Sequence, residues 1–140
     1  MKKIRPFHLA FPVYNINITV QWYTSMLNCS IGRKSERWVD FNFFGHQISA
    51  HLIDQELTQD KTNVVDGHNI PSRHFGIILE MEQWKILVNQ LNKKNIKYLI
   101  EPNIRFKGEK GEQATFFIKD PSNNVLEFKA FINDNQIFES

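Results

Sequence analysis

Five histidines and a single cysteine are the residues of this 140-residue chain best suited to bind a metal or move a proton, and two of the histidines stand in matching surroundings. Phe7-His8-Leu9-Ala10-Phe11 and Arg73-His74-Phe75-Gly76-Ile77 each set out a histidine, an apolar residue, a small residue and a second apolar residue, 66 positions apart. Strand alternation places the large apolar side chains of each run on one face and the histidine on the less bulky face. A polar side chain there needs water, a hydrogen-bonding partner or a metal ion. Glu127 and His51 fall in the last strand-like segment of each half, at places that read as equivalent. A free imidazole titrates near pH 6.5, so His51 is of a type that suits a general acid or base.

The elements that must position these residues follow from periodicity. Residues 4–13 alternate as a strand, and Val20, Tyr23 and Leu27 recur at helical spacing from about Thr19, with Asn17 or Thr19 as a cap. Cys29 to Lys34, Trp38 to Phe44 and Gln47 to Ile53, separated by Gly32 and Gly45, read as three further strands. Residues 54–72 carry no sustained period and read as a connecting loop. The series then restarts: a strand over 73–80, a helix over 82–94, and strands near 96–100, 114–119 and 125–131. Trp22 and Trp84 look like counterparts in the two helices. The expected fold class is therefore α+β, one domain over 1–140 made of two tandem β-α-β-β-β modules, about 4–53 and 73–132, joined by the linker 54–72.

Composition excludes several functions. Seventeen basic and 15 acidic residues leave a net charge of +2, scattered without a basic stripe, so no nucleic-acid partner is expected. The chain has no apolar run near the roughly 20 residues of a membrane span, and its N-terminus lacks a signal-peptide core, which predicts a cytoplasmic protein with no membrane partner. Cys29 is alone, so no internal disulfide supports the fold. Aromatic residues, 12 Phe, 3 Trp and 3 Tyr, fall mostly in alternating runs and favour sheet.

The chain resembles the vicinal oxygen chelate superfamily, which includes glyoxalases, extradiol dioxygenases, fosfomycin-resistance enzymes and bleomycin-binding proteins. The resemblance covers nearly all of 4–132. It rests on the paired modules, on Phe7-His8-Leu9-Ala10-Phe11, on Thr19-Val20-Gln21-Trp22-Tyr23 leading to Leu27-Asn28-Cys29, and on Asp120-Pro121-Ser122-Asn123-Asn124-Val125-Leu126-Glu127-Phe128. Asn123-Asn124 stands where the family carries Gly-Asn, and asparagine tolerates the left-handed backbone such a turn needs. The resemblance implies curved mixed sheets enclosing a metal-binding cleft, with His8, His74 and Glu127 as ligands. Two imidazoles and a carboxylate suit Fe(II), with Zn, Ni or Mn as alternatives.

His51 replaces the carboxylate that glyoxalase I enzymes carry, which weakens a lyase reading and leaves it as an acid/base, a fourth ligand or a structural histidine. Arg105, Lys107 and Gln113 border a charged, glycine-containing loop and are candidates to bind an anionic or hydroxylated small-molecule substrate. The expected activity is an Fe(II) extradiol-like dioxygenase. A glyoxalase-type lyase, isomerase or thiol transferase, and a metal-free drug-binding protein, are the alternatives. Modules of this superfamily pair within one chain or between two, so a homodimer is open.

Overall fold

The structure, a computed structural model, describes residues 3–54 and 62–139. The chain divides into two compact units, 1–58 with 120–124, and 59–119 with 125–140. In the first, strand β1 (His8–Val13) leads to helix α1 (Ile16–Leu27) and strands β2 (Ser30–Lys34), β3 (Trp38–Phe43) and β4 (His46–Leu52). They form a sheet of order β1-β4-β3-β2 in which β1 and β4 are parallel. The second holds β5 (Thr62–Val65), β6 (His68–Pro71), β7 (Phe75–Ile78), helix α2 (Met81–Lys93), β8 (Tyr98–Arg105), β9 (Gln113–Lys119) and β10 (Val125–Phe131). Its main sheet repeats the order as β7-β10-β9-β8, with β7 parallel to β10. The two β-α-β-β-β modules and the α+β class predicted from the repeat are thus present.

Three local features differ from expectation. Helix α1 begins at Ile16, because Asn15 caps it, its Oδ1 accepting from Ile18 N at 2.9 Å. Within the predicted linker, 62–71 forms the β5–β6 hairpin. Its turn is Asp66-Gly67 with φ of 48° and 81°, the dipeptide that two-residue hairpins favour; residues 55–61 lie outside the described residues. Trp22 and Trp84 are not counterparts. Trp84 is buried, its ring 5.8 Å from Phe116 and its Nε1 donating to Phe128 O, whereas Trp22 is half-buried beside Tyr23.

Each unit buries one sheet face under its own helix. Tyr23 stacks on Phe41 at 5.0 Å and lies near Phe11 in the first, and Phe116 stacks on Phe128 at 5.1 Å beneath Trp84 in the second. The opposite faces, carrying the residues of chemical interest, are therefore set by strand alternation. Among the described residues no helix is long and apolar enough to cross a membrane.

The Asp120–Asn124 turn that joins β9 to β10 packs with the first unit. Asp120, 4% exposed, accepts from Ser122 N and Asn124 N on Oδ1 and from Tyr23 Oη and Asn124 Nδ2 on Oδ2, all at 2.8–2.9 Å. Asn124 Nδ2 also donates to Pro12 O, and Tyr14 N donates to Ser122 Oγ. Asn123 supplies the left-handed residue, φ 65°.

Burial and the Asp120 carboxylate hold the Tyr23 hydroxyl well above its usual pKa, and burial raises the Cys29 thiol to about 12. Both groups keep their protons in the native state at a pH where the unfolded chain loses them. Unfolding free energy therefore falls as pH rises, by up to about 1.4 kcal/mol per pH unit for each group, above about 9 for Cys29 and above about 10 for Tyr23. Urea titrations between pH 8.5 and 11 will show this slope, and Cys29→Ala is expected to flatten its lower part.

Candidate functional site

The second unit assembles two of the expected ligands. Gly76 on β7 is register partner of Glu127 on β10, and His74, two residues before Gly76, brings its Nε2 to 3.4 Å from Glu127 Oε1. Neither group is left to choose its orientation. His74 Nδ1 lies 2.9 Å from Pro71 O, and a carbonyl can only accept, so Nδ1 carries a proton and Nε2 is the nitrogen turned to the carboxylate. Glu127 Oε2 accepts from Thr115 Oγ1 at 2.8 Å, leaving Oε1 toward the imidazole. A lone pair facing a carboxylate oxygen is repulsive unless a cation, a proton or a metal ion, sits between them.

This is the arrangement by which outer hydrogen bonds orient a metal's ligands. The pair lines an open depression of about 200 Å³ with Phe75, Ile77 and Lys129. The buried Phe117 ring lies 5.5 Å from that of His74. Phe117 in turn packs with Ile70 of the β5–β6 hairpin, Ile100 and Val125. The residues present in this unit fit a divalent cation through two donors of suitable chemistry.

A Cβ at Gly76 would overlap the Glu127 carbonyl oxygen. The strands approach this closely only because the residue is glycine. Gly76→Ala is expected to cost about 3 kcal/mol in stability, at the upper end for overpacking, and to weaken metal binding as β7 moves from β10. Thermal melts and metal titration of the same variant will measure both.

The remaining predicted residues are placed as follows. His8 stands on β1 in the first unit, its Nδ1 2.8 Å from Gln47 Oε1, with no partner for its Nε2 among the described residues. Among the described residues no group of three or more His, Cys, Asp or Glu is gathered closely enough to hold a metal ion. His51, exposed on β4, is opposite Pro12 and Trp38. Its equivalence to Glu127 does not hold: His8 corresponds to His74 and Ala10 to Gly76, and Ala10 pairs with Ser49 as Gly76 pairs with Glu127. Ser49 is thus the counterpart of Glu127, buried and donating to Asp40 Oδ1 at 2.6 Å. His51 stands two residues from Ser49, one strand repeat, so the two share a face and alternation alone cannot tell them apart.

Arg105 ends β8 with Nε 3.4 Å from Asp66 Oδ2 and its guanidinium over Phe106. Lys107 lies exposed in the following turn, and Gln113 is buried on β9 opposite Arg105. Sequence reading overlooked Thr115 and Gln47, the residues that orient Glu127 and His8. Their signal was present, since Thr115 alternates with Gln113 on β9 and Gln47 shares a face with His51. A cavity of about 650 Å³ is lined by Asn15, Lys34, Glu36 and neighbours and contains none of the predicted site residues.

The model of the glyoxalase/bleomycin resistance protein/dioxygenase superfamily matches residues 5–128. The chain belongs to this superfamily. A glyoxalase/bleomycin resistance protein/dioxygenase from Alicyclobacillus acidocaldarius is 31% identical, with a TM-score of 0.81 over 95% of this chain and 96% of that one. The fosfomycin resistance protein FosX from Listeria monocytogenes shares the fold at 16% identity, TM-score 0.63, covering 93% of each chain. A mutant form of the same FosX, solved with Mn(II) and 1S,2S-dihydroxypropylphosphonic acid, aligns at 16% identity and TM-score 0.60 over 86% of this chain and 85% of that one. No curated protein matches the chain.

Proposed function

We propose that this superfamily member is a divalent-metal enzyme acting on a small molecule with two adjacent oxygens, by extradiol-type dioxygenation with Fe(II). The observation that carries the reading is the His74 Nε2 to Glu127 Oε1 approach of 3.4 Å, with both groups oriented from behind. His74 and Glu127 supply one imidazole and the carboxylate. His8, its Nδ1 tied to Gln47, supplies the second imidazole, from the same chain or from a second copy in a homodimer. When bound, the metal contributes a Lewis-acid centre and a template that leaves positions open for substrate and dioxygen.

The chain's own residues then orient and move protons. Thr115 holds the carboxylate so that one oxygen faces the imidazole. Ile78, on the same strand face as His74, gives the depression an apolar side, and the Phe117 ring lies against that of His74, surfaces suited to a planar ring. His51 takes a proton from a substrate hydroxyl and returns it later, a role that imidazoles fill more often than any other side chain.

A second reading is favoured by the FosX complex with Mn(II): a non-redox addition or elimination with Mn, Zn or Ni. Metal analysis of anaerobically purified protein, followed by an oxygen electrode trace with a catechol panel, separates the two. Stoichiometric iron and oxygen uptake are expected. Stoichiometric metal without uptake would favour the non-redox enzyme. An absence of bound metal with tight affinity for an aromatic drug would replace both by a binding protein.

A further inference from the structure

Lys129 follows Glu127 by two residues on β10, so strand alternation puts both side chains on one face, about 7 Å apart along the strand. It lines the same depression of about 200 Å³ as His74 and Glu127. The lysine is half-buried and has no ion-pair partner among the described residues. Its register partners, Ile78 on β7 and Thr115 on β9, are uncharged. The oxygens of Glu127 are turned elsewhere, Oε2 to Thr115 Oγ1 and Oε1 to His74. Neither Arg105 nor Lys107, the cations expected to meet a substrate, lines this depression, and Arg105 is engaged by Asp66.

An ammonium at this place works against the metal. It repels a divalent ion held at His74 and Glu127, and it is costly to cover unless an anion meets it. A divalent ion and an ammonium set against one carboxylate leave the depression with excess positive charge, which an anionic ligand balances. We propose that Lys129 is a specificity-determining residue whose Nζ donates to an anionic group of the substrate, of the carboxylate type, one strand repeat from the oxygens that meet the metal. The proposal rests on the reading of this depression as a metal and substrate site, and it adds the substrate class: a molecule with a negative charge remote from its two adjacent oxygens. The contact is a charge-assisted hydrogen bond. A neutral analogue of the same shape covers the ammonium without pairing it, so discrimination between the two is strong. Toward the metal alone the same charge acts in the opposite sense. A lysine that only laid its methylenes along Ile78 and kept its ammonium in water would show neither effect.

The test titrates 3,4-dihydroxybenzoate and its methyl ester by calorimetry into wild type, Lys129→Met and Lys129→Arg, each with added Fe(II) under argon, and measures Fe(II) affinity by competition with a chelator. Wild type is expected to bind the acid about tenfold or more tightly than the ester. Lys129→Met is expected to lose that preference while holding Fe(II) at least as tightly as wild type, and Lys129→Arg to keep it. Fe(II)-dependent binding of both compounds with equal affinity overturns the proposal and leaves the metal-enzyme reading standing. A preference retained by Lys129→Met, weaker Fe(II) binding in that variant, or binding of neither compound also overturns it. The expected preference in protein that takes up no oxygen leaves it standing and overturns only the dioxygenase reading.

Discussion

Replacing Glu127 by alanine is expected to lower affinity for a divalent metal by more than about 100-fold, beyond the 10- to 100-fold that loss of an outer partner produces, and to abolish turnover with it. The reason is geometric. Glu127 Oε1 and His74 Nε2 are 3.4 Å apart with no other hydrogen bond committing those two atoms among the described residues, so removing the carboxylate takes away the one anionic ligand of the proposed set and leaves imidazoles alone. In metal-free protein the mutation also leaves the buried Thr115 hydroxyl without its acceptor, at a cost of about 1–3 kcal/mol. Thr115→Val, which frees Glu127 Oε2 without deleting a ligand, is expected to weaken metal binding by about tenfold. Elemental analysis and competition with a chelator measure all three. Wild-type metal content in Glu127→Ala would show that the pair is only an ion pair, with the proton as the cation between them.

The second large effect concerns stability. Asp120→Ala is expected to cost about 3 kcal/mol or more, because the two backbone N–H groups of Ser122 and Asn124 and the hydroxyl of Tyr23 all lose their acceptor in a buried site, at about 1–3 kcal/mol for each group left unmet. Asp120→Asn is expected to cost far less, about 1 kcal/mol. Its remaining oxygen still serves the backbone pair, and Tyr23 Oη can turn to accept from the new amide. Burial raises the Asp120 pKa above its ordinary 3.8 despite the hydrogen bonds that lower it. The native state thus holds that proton more firmly than the unfolded chain, so this group's contribution declines as pH rises from about 4 through the raised value. Asp120→Asn is expected to flatten the stability profile there. Urea unfolding of the three proteins between pH 4 and 8 decides it, and equal stability of Asp120→Ala and wild type would mean that the turn contributes nothing.

Much of this was legible in the residues alone. The repeat of His8 and His74 contexts, with strand and helix periods around each, specified two β-α-β-β-β modules, and they are present. The Asp120-Pro121 run stood out as a motif, and Asn123 does occupy the left-handed position. Other features were hidden for definite reasons. The hairpin over 62–71 is too short and too polar to show a period, although Asp66-Gly67 marked its turn. The α1 start was misjudged because Asn15, Asn17 and Thr19 are each of a type that can cap a helix, and only the backbone chooses among them.

Alternation along a strand is local, so the sequence by itself determined which face His8, His74 and Glu127 occupy, along with the modules that carry them. Which residues meet across strands is a matter of register, and register depends on packing and turns that span the chain. Only the tertiary structure therefore decided that Glu127 faces His74 and is held by Thr115. The same pairing made Ser49, and not His51, its counterpart, committed Arg105 to Asp66, and left the Gln113 oxygen buried without a donor among the described residues.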